Sequence, residues 1–137
     1  MEARVIFAPF TRTREELLEY TVAADVGLIL YQPIETNRKY VAPCKLYDYF
    51  SCGVPVIVPQ ALPYISEMVN KLKVGLCYSE SKPEAIGKTI CELLQNPARK
   101  TMGQNARREH LSSLNFETQF QPLMNEIIKA TSLESKD

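Results

Sequence analysis

Pro43 is followed by Cys44-Lys45-Leu46-Tyr47-Asp48-Tyr49-Phe50-Ser51-Cys52-Gly53, and this run carries the residue types best spaced for chemistry. Pro at the start and Gly just past the end predict a short helix. The first backbone N–H groups of such a helix lack internal partners, and its dipole adds partial positive charge. An anion, most simply a phosphate, is the natural guest there. Lys45 sits in the first turn, where a cation opposes the dipole unless an anion binds as well. The plain alternative is a solvated surface lysine. Asp48 lies three residues further on and shares a face with Lys45. A carboxylate one turn inside a phosphate site is poorly placed for phosphate, but it can accept from the paired hydroxyls of a neighbouring sugar. The plain alternative is a Lys45–Asp48 surface ion pair, which contributes little.

Other polar residues are weaker candidates. Glu35 and Asn37 lie in a polar stretch, 32–42, where no period is visible, and they could reach a polar ligand. A loop of that length between compact elements is more often functional than idle. Arg38 and Lys39 could attract phosphate, although exposure is the default for loop charges. Glu67 reads as a surface carboxylate. His110, among Arg107, Arg108 and Glu109, reads as exposed, with no catalytic role. Tyr31, Tyr40, Tyr47 and Tyr49 cluster near the same loop, and core packing explains them. Cys44, Cys52, Cys77 and Cys91 form no CxxC pair, so neither a metal site nor a disulfide framework is expected. Cys52, Cys77 and Cys91 read as small buried apolar residues. With one histidine there is no Ser-His-Asp order, and neither a P-loop nor GxGxxG occurs, which argues against ATPase and dehydrogenase chemistry.

The elements that must hold these residues alternate in type. Residues 4–10, Arg-Val-Ile-Phe-Ala-Pro-Phe, read as a short buried strand. Thr13 and Glu16 have capping-box spacing and open a helix that ends near Asp25. The continuous apolar run 26–31 fits a strand covered on both faces. After the Cys44 helix come a strand over 54–58, a helix over 63–71 and a strand over 74–78. Helices over 83–96, 97–112 and 116–130 close the chain, the last with a stripe of Phe120, Leu123, Met124, Ile127 and Ile128. Residues 131–137 read as a disordered polar tail. Strands alternating with helices predict an α/β fold with a parallel sheet, the latter part of a doubly wound, Rossmann-like domain. In such sheets ligands bind beyond the carboxyl ends of the strands, where the Cys44 helix opens.

Composition narrows the class. The chain has 137 residues, 45% apolar and 23% charged, ordinary for a globular domain. A domain of that size buries roughly 68% of its unfolded surface, enough for a core. Sixteen basic and sixteen acidic residues give a formal net charge of zero, which argues against a broad nucleic-acid footprint. No apolar run reaches the ~18 residues of a membrane helix. Met1-Glu2-Ala3-Arg4 lacks the form of a secretory signal, so a cytoplasmic location is expected.

The segment Ala24-Asp25-Val26-Gly27-Leu28-Ile29-Leu30, the Pro43–Gly53 helix and Gly53-Val54-Pro55-Val56-Ile57 together resemble the C-terminal nucleotide-sugar-binding domain of GT-B glycosyltransferases of the group 1 (family 4) type. Pro63, Glu67, Gly75, Pro83-Glu84, Pro97-Ala98-Arg99 and Met102-Gly103 resemble that family's closing segments, so the likeness spans about residues 4–130. It implies a sugar-nucleotide donor and transfer of a glycosyl group to an acceptor hydroxyl, usually with retention, with no resident cofactor and no obligatory metal. Asp48 then matches the acid that binds the nucleotide ribose, as Asp where Glu is usual. Lys45 matches the lysine beside the diphosphate, and the N–H groups of Cys44 and Lys45 match its backbone contacts. The strand end at Phe7–Phe10 matches the region flanking the base. Tyr40 stands where many relatives carry a second acid, and Glu35 is the nearest carboxylate that could replace it. The resemblance also implies a missing N-terminal acceptor-binding domain or partner subunit, no transferase activity of this chain alone, and peripheral membrane association of the complete enzyme. The alternatives are a non-catalytic nucleotide-binding module and a sugar-nucleotide epimerase of the same architecture.

Overall fold

The computed structural model describes residues 5–7, 10–31 and 41–134. Glu35, Asn37, Arg38, Lys39 and Tyr40 lie outside the described residues. The elements in order are α1 (Arg14–Val22), β1 (Gly27–Leu28), α2 (Cys44–Ser51), β2 (Val56–Pro59), α3 (Pro63–Leu72), β3 (Gly75–Tyr78), α4 (Pro83–Gln95), α5 (Arg99–Ser112) and α6 (Phe116–Glu134).

The three strands form one parallel sheet in the order β1-β2-β3, with Gly27 opposite Val56 and Val56 opposite Gly75. All four residues of β2 are buried, as the central strand of a parallel sheet requires. Its side chains alternate between two cores. Val56 and Val58 join Ile29, Leu46, Phe50, Ile65, Val69 and Ala106 beneath α2, α3 and α5. Ile57 joins Tyr78 and Leu93 on the other face, with Ile86 and Ile90 of α4 packed alongside. The sheet therefore has helices on both faces, and the fold is α/β, compatible with a partial Rossmann-like domain. Each fully buried aliphatic or aromatic side chain contributes about 1.5–3 kcal/mol.

Several expected features differ. Val5, Ile6, Phe7 and Phe10 are in no strand, and they are 70–96% exposed. A buried strand needs a hydrogen-bonding edge and cover on both faces, and no described residue supplies these. The 26–31 run pairs only at Gly27 and Leu28, although Ile29 still donates its N–H to the Ile57 carbonyl at 2.9 Å. α6 continues to Glu134, beyond the expected end at 130. Its stripe is largely solvent-facing among the described residues, with Leu123, Ile127 and Ile128 all 45% or more exposed. Cys91 is exposed, and Cys52 and Cys77 are half-buried, so the expectation of three buried cysteines fails. Among the described residues no helix is long and apolar enough to cross a membrane.

Candidate functional site

α2 forms where its punctuation says it should. Pro43 occupies the N-cap with extended backbone, and Gly53 follows the C-terminal end at φ +70°, a conformation that glycine adopts without strain. Leu46 and Phe50 are the inward face and are fully buried. That anchoring leaves Cys44, Tyr47 and Asp48 on an outward face. Pro43 provides no side-chain cap, so among the described residues the first N–H groups of α2 lack a side-chain acceptor.

Asp48 borders a cavity of about 570 Å³. Cys44 and Tyr47 from α2, Tyr64 from the first turn of α3, Arg14 from α1 and His110 from α5 share its lining, and Phe116 and Gln119 close it. Cys44 and Tyr64 follow β1 and β2 in the chain, so the cavity lies on the carboxyl-end side of the strands. The Arg14 guanidinium donates from Nη2 to Asp48 Oδ1 at 2.9 Å, which holds the carboxylate at the cavity wall. Arg14 is 66% exposed and the Asp48 side chain 20%, so this pair orients more than it stabilises.

Burial pushes the Tyr47 hydroxyl up to about 12, with the neighbouring Tyr64 hydroxyl adding to the effect. Tyr47 therefore remains a neutral donor at any physiological pH. His110 is half-buried, not exposed as its charged neighbours suggest. Its Nδ1 is buried without a hydrogen-bond partner among the described residues. Burial, and then the charge of Arg107, lowers its pKa below the usual 6.5. Asn115 shapes the corner beside it: Nδ2 donates to the His110 carbonyl at 2.8 Å, while Oδ1 accepts from the Thr118 N–H at 2.8 Å.

Lys45 is exposed, and its Nζ lies 5.4 Å from the centre of the Tyr31 ring. Lys45 and Asp48, placed on one face by their spacing, thus have different neighbours, and Asp48 borders the cavity, with Cys44, while Lys45 does not. Glu67 is exposed and outside it. Phe10 is exposed in solvent, and Glu35 falls outside the described residues. Arg14, Tyr64 and His110 were missed from sequence: Arg14 is 34 residues from Asp48, and no local spacing announces the pairing. Among the described residues no group of three or more His, Cys, Asp or Glu is placed to hold a metal ion. The lining instead offers one carboxylate, two phenols, a guanidinium, an imidazole and two amides, a set suited to a hydroxyl-rich ligand with an anionic part.

A family model described as glycosyl transferases group 1 matches residues 1–109. No curated protein and no solved structure matches the chain.

Proposed function

The chain belongs to the glycosyl transferases group 1 family, a family of transferases that move glycosyl groups, and on that premise we propose that the cavity beside Asp48 holds the nucleotide part of a sugar-nucleotide donor. The observation that carries this reading is Asp48 itself: a carboxylate on a cavity wall, one turn inside an uncapped helix opening, on the carboxyl-end side of a parallel sheet. Ligands of open α/β sheets gather on that side. The diphosphate lies across the start of α2, where the Cys44 and Lys45 N–H groups and the helix dipole favour an anion. Lys45, from its place over Tyr31, adds a cation on the flank away from the cavity. Asp48 accepts from two ribose hydroxyls, with Arg14 fixing the carboxylate's orientation.

Transfer breaks the bond between the sugar's anomeric carbon and the diphosphate oxygen, which keeps the electron pair, and forms a bond to an acceptor hydroxyl oxygen, whose proton passes to the departing diphosphate, with retention. Negative charge grows on the departing diphosphate, and a pre-oriented helix opening stabilises that charge. The donor is substrate, and the reading calls for no resident cofactor or metal. Acceptor binding falls to a second unit, a further domain or a partner subunit, so the described residues bind donor without turning it over. The complete enzyme works at the cytoplasmic side, peripheral to the membrane if its acceptor is there.

An epimerase of like architecture needs a histidine near the diphosphate. His110 on the cavity wall meets that need in part, but the family match supports transfer. Titration calorimetry with UDP, GDP and ADP tests the reading. Saturable binding of one of them is expected, weakened about 5- to 150-fold by Asp48→Ala, as for a charge-assisted contact of 1–3 kcal/mol. Absence of binding by all three contradicts it and favours a non-catalytic module. Steady turnover of a donor by this chain alone contradicts the division of labour.

A further inference from the structure

A second, larger cavity, about 960 Å³, opens on the other side of the sheet's ends. Ala24 and Asp25 precede β1, and Gly53 and Pro55 precede β2, so this cavity lies at the amino ends of the strands, away from Asp48. α5 supplies most of its wall. Lys100, Gln104, Arg107, Arg108 and Leu111 recur at helical spacing and fall along one face. Gly53 and Gly103 form the floor, where α5 packs directly on the end of α2. A side chain at Gly103 would run into the Gly53 carbonyl, and a side chain at Gly53 would be strained at φ +70°.

The charge is one-sided. Arg99, Lys100, Arg107 and Arg108 line the cavity, against Asp25 as the one carboxylate of the lining. Asp25 is taken by Arg99 at 3.0 Å, and Arg108 reaches Glu109 at 3.3 Å. The side chains of Lys100 and Arg107 have no hydrogen bond or ion pair among the described residues. The chain as a whole has a formal net charge of zero, so four cations around one concavity are a local excess. The opening of α5 adds to it. Ala98 provides no side-chain cap, and Arg99 and Lys100 occupy the first turn, where the dipole disfavours cations. Asn96 already accepts the Ala98 N–H at 2.8 Å and the Arg99 N–H at 3.0 Å, so an anion seated there would act chiefly by relieving both repulsions.

We propose that this cavity is a binding site for a multiply charged phosphate-bearing anion, gripped by Lys100 and Arg107 over the Gly53–Gly103 floor. Its source is a soluble phosphorylated compound or a phospholipid headgroup. The volume is within the range of small-molecule pockets and exceeds what one phosphate fills.

Two probes separate the sources: inorganic pyrophosphate, and vesicles of phosphatidic acid, whose headgroup is a phosphomonoester able to carry two charges, set against phosphatidylcholine vesicles. Amide NMR of the whole chain locates the first, and co-sedimentation reads the second. The expected result is saturable binding of at least one probe. Pyrophosphate should shift the Lys100, Gln104 and Arg107 amides, and the K100Q/R107Q double variant should weaken whichever probe binds at least tenfold. Binding of vesicles alone assigns a headgroup, and binding of pyrophosphate alone a soluble ligand. The proposal is overturned if neither probe binds or if the double variant binds as well as the parent chain. It is equally overturned if pyrophosphate shifts the Cys44 and Lys45 amides and leaves those of α5 unmoved. Both substituted side chains are exposed, and circular dichroism of the variant checks that the fold is retained.

Discussion

Asp48 and Arg14 meet across 2.9 Å from two different helices, and neither residue signals the other in the sequence. The carboxylate was legible because it follows a helix opening by one turn. Its partner was not, because a contact over 34 residues depends on how α1 lands on α2. His110 was misread for a related reason. Its sequence neighbours are charged, yet the α5–α6 corner at Asn115 folds over it and buries Nδ1. The pH consequence follows by linkage. With a native pKa below the usual 6.5, the unfolded chain takes up the proton first as pH falls. In that window the unfolded state binds more protons, so stability declines from pH 6.5 downward until the native pKa is passed, and the contribution is fully present above 6.5. His110→Gln should flatten this part of a denaturation series run from pH 7.5 to 5. An unchanged slope would show that His110 carries no such linkage.

At the scale of elements, α2 was the most legible piece because its punctuation is local. Pro43 and Gly53 bound it, and Leu46 and Phe50 recur at helical spacing. The described part of the 4–10 segment, residues 5–7 and 10, departs from the strand expected on equally local grounds. Apolar composition marks what can be buried, whereas burial itself needs a neighbouring edge, and Phe7 and Phe10 find none among the described residues. Of the apolar run 26–31, read as one strand, only Gly27 and Leu28 pair with β2, although Ile29 still donates its N–H to the Ile57 carbonyl. Two substitutions test how α2 is seated. Phe50→Ala, at a fully buried ring, should cost about 3–5 kcal/mol in denaturant unfolding. Gly103→Ala should cost about 1–3 kcal/mol, because the new methyl meets the Gly53 carbonyl where α5 crosses the end of α2. A loss below 0.5 kcal/mol for either, a magnitude ordinary for surface sites, would mean that the α2 packing described is wrong.

For the whole molecule, the alternation of strands and helices was enough to read an α/β fold with a parallel sheet, and the family match over residues 1–109 agrees with the resemblance carried by the 24–57 segments. The two cavities were not legible, because each is assembled from several elements. One gathers α1, α2, α3 and α5 on the carboxyl-end side, and the other lies between α5 and the amino ends of β1 and β2. Donor recognition through Asp48 is the central claim, and a ribose-hydroxyl comparison tests it most directly. Whichever of UDP, GDP or ADP binds tightest is titrated beside its 2′,3′-dideoxy analogue, on the parent chain and on Asp48→Ala. The parent chain should prefer the hydroxylated nucleotide by about 5- to 150-fold, the equivalent of 1–3 kcal/mol, and Asp48→Ala should bind the two alike. An undiminished preference in Asp48→Ala, or equal binding of both nucleotides by the parent chain, would contradict it.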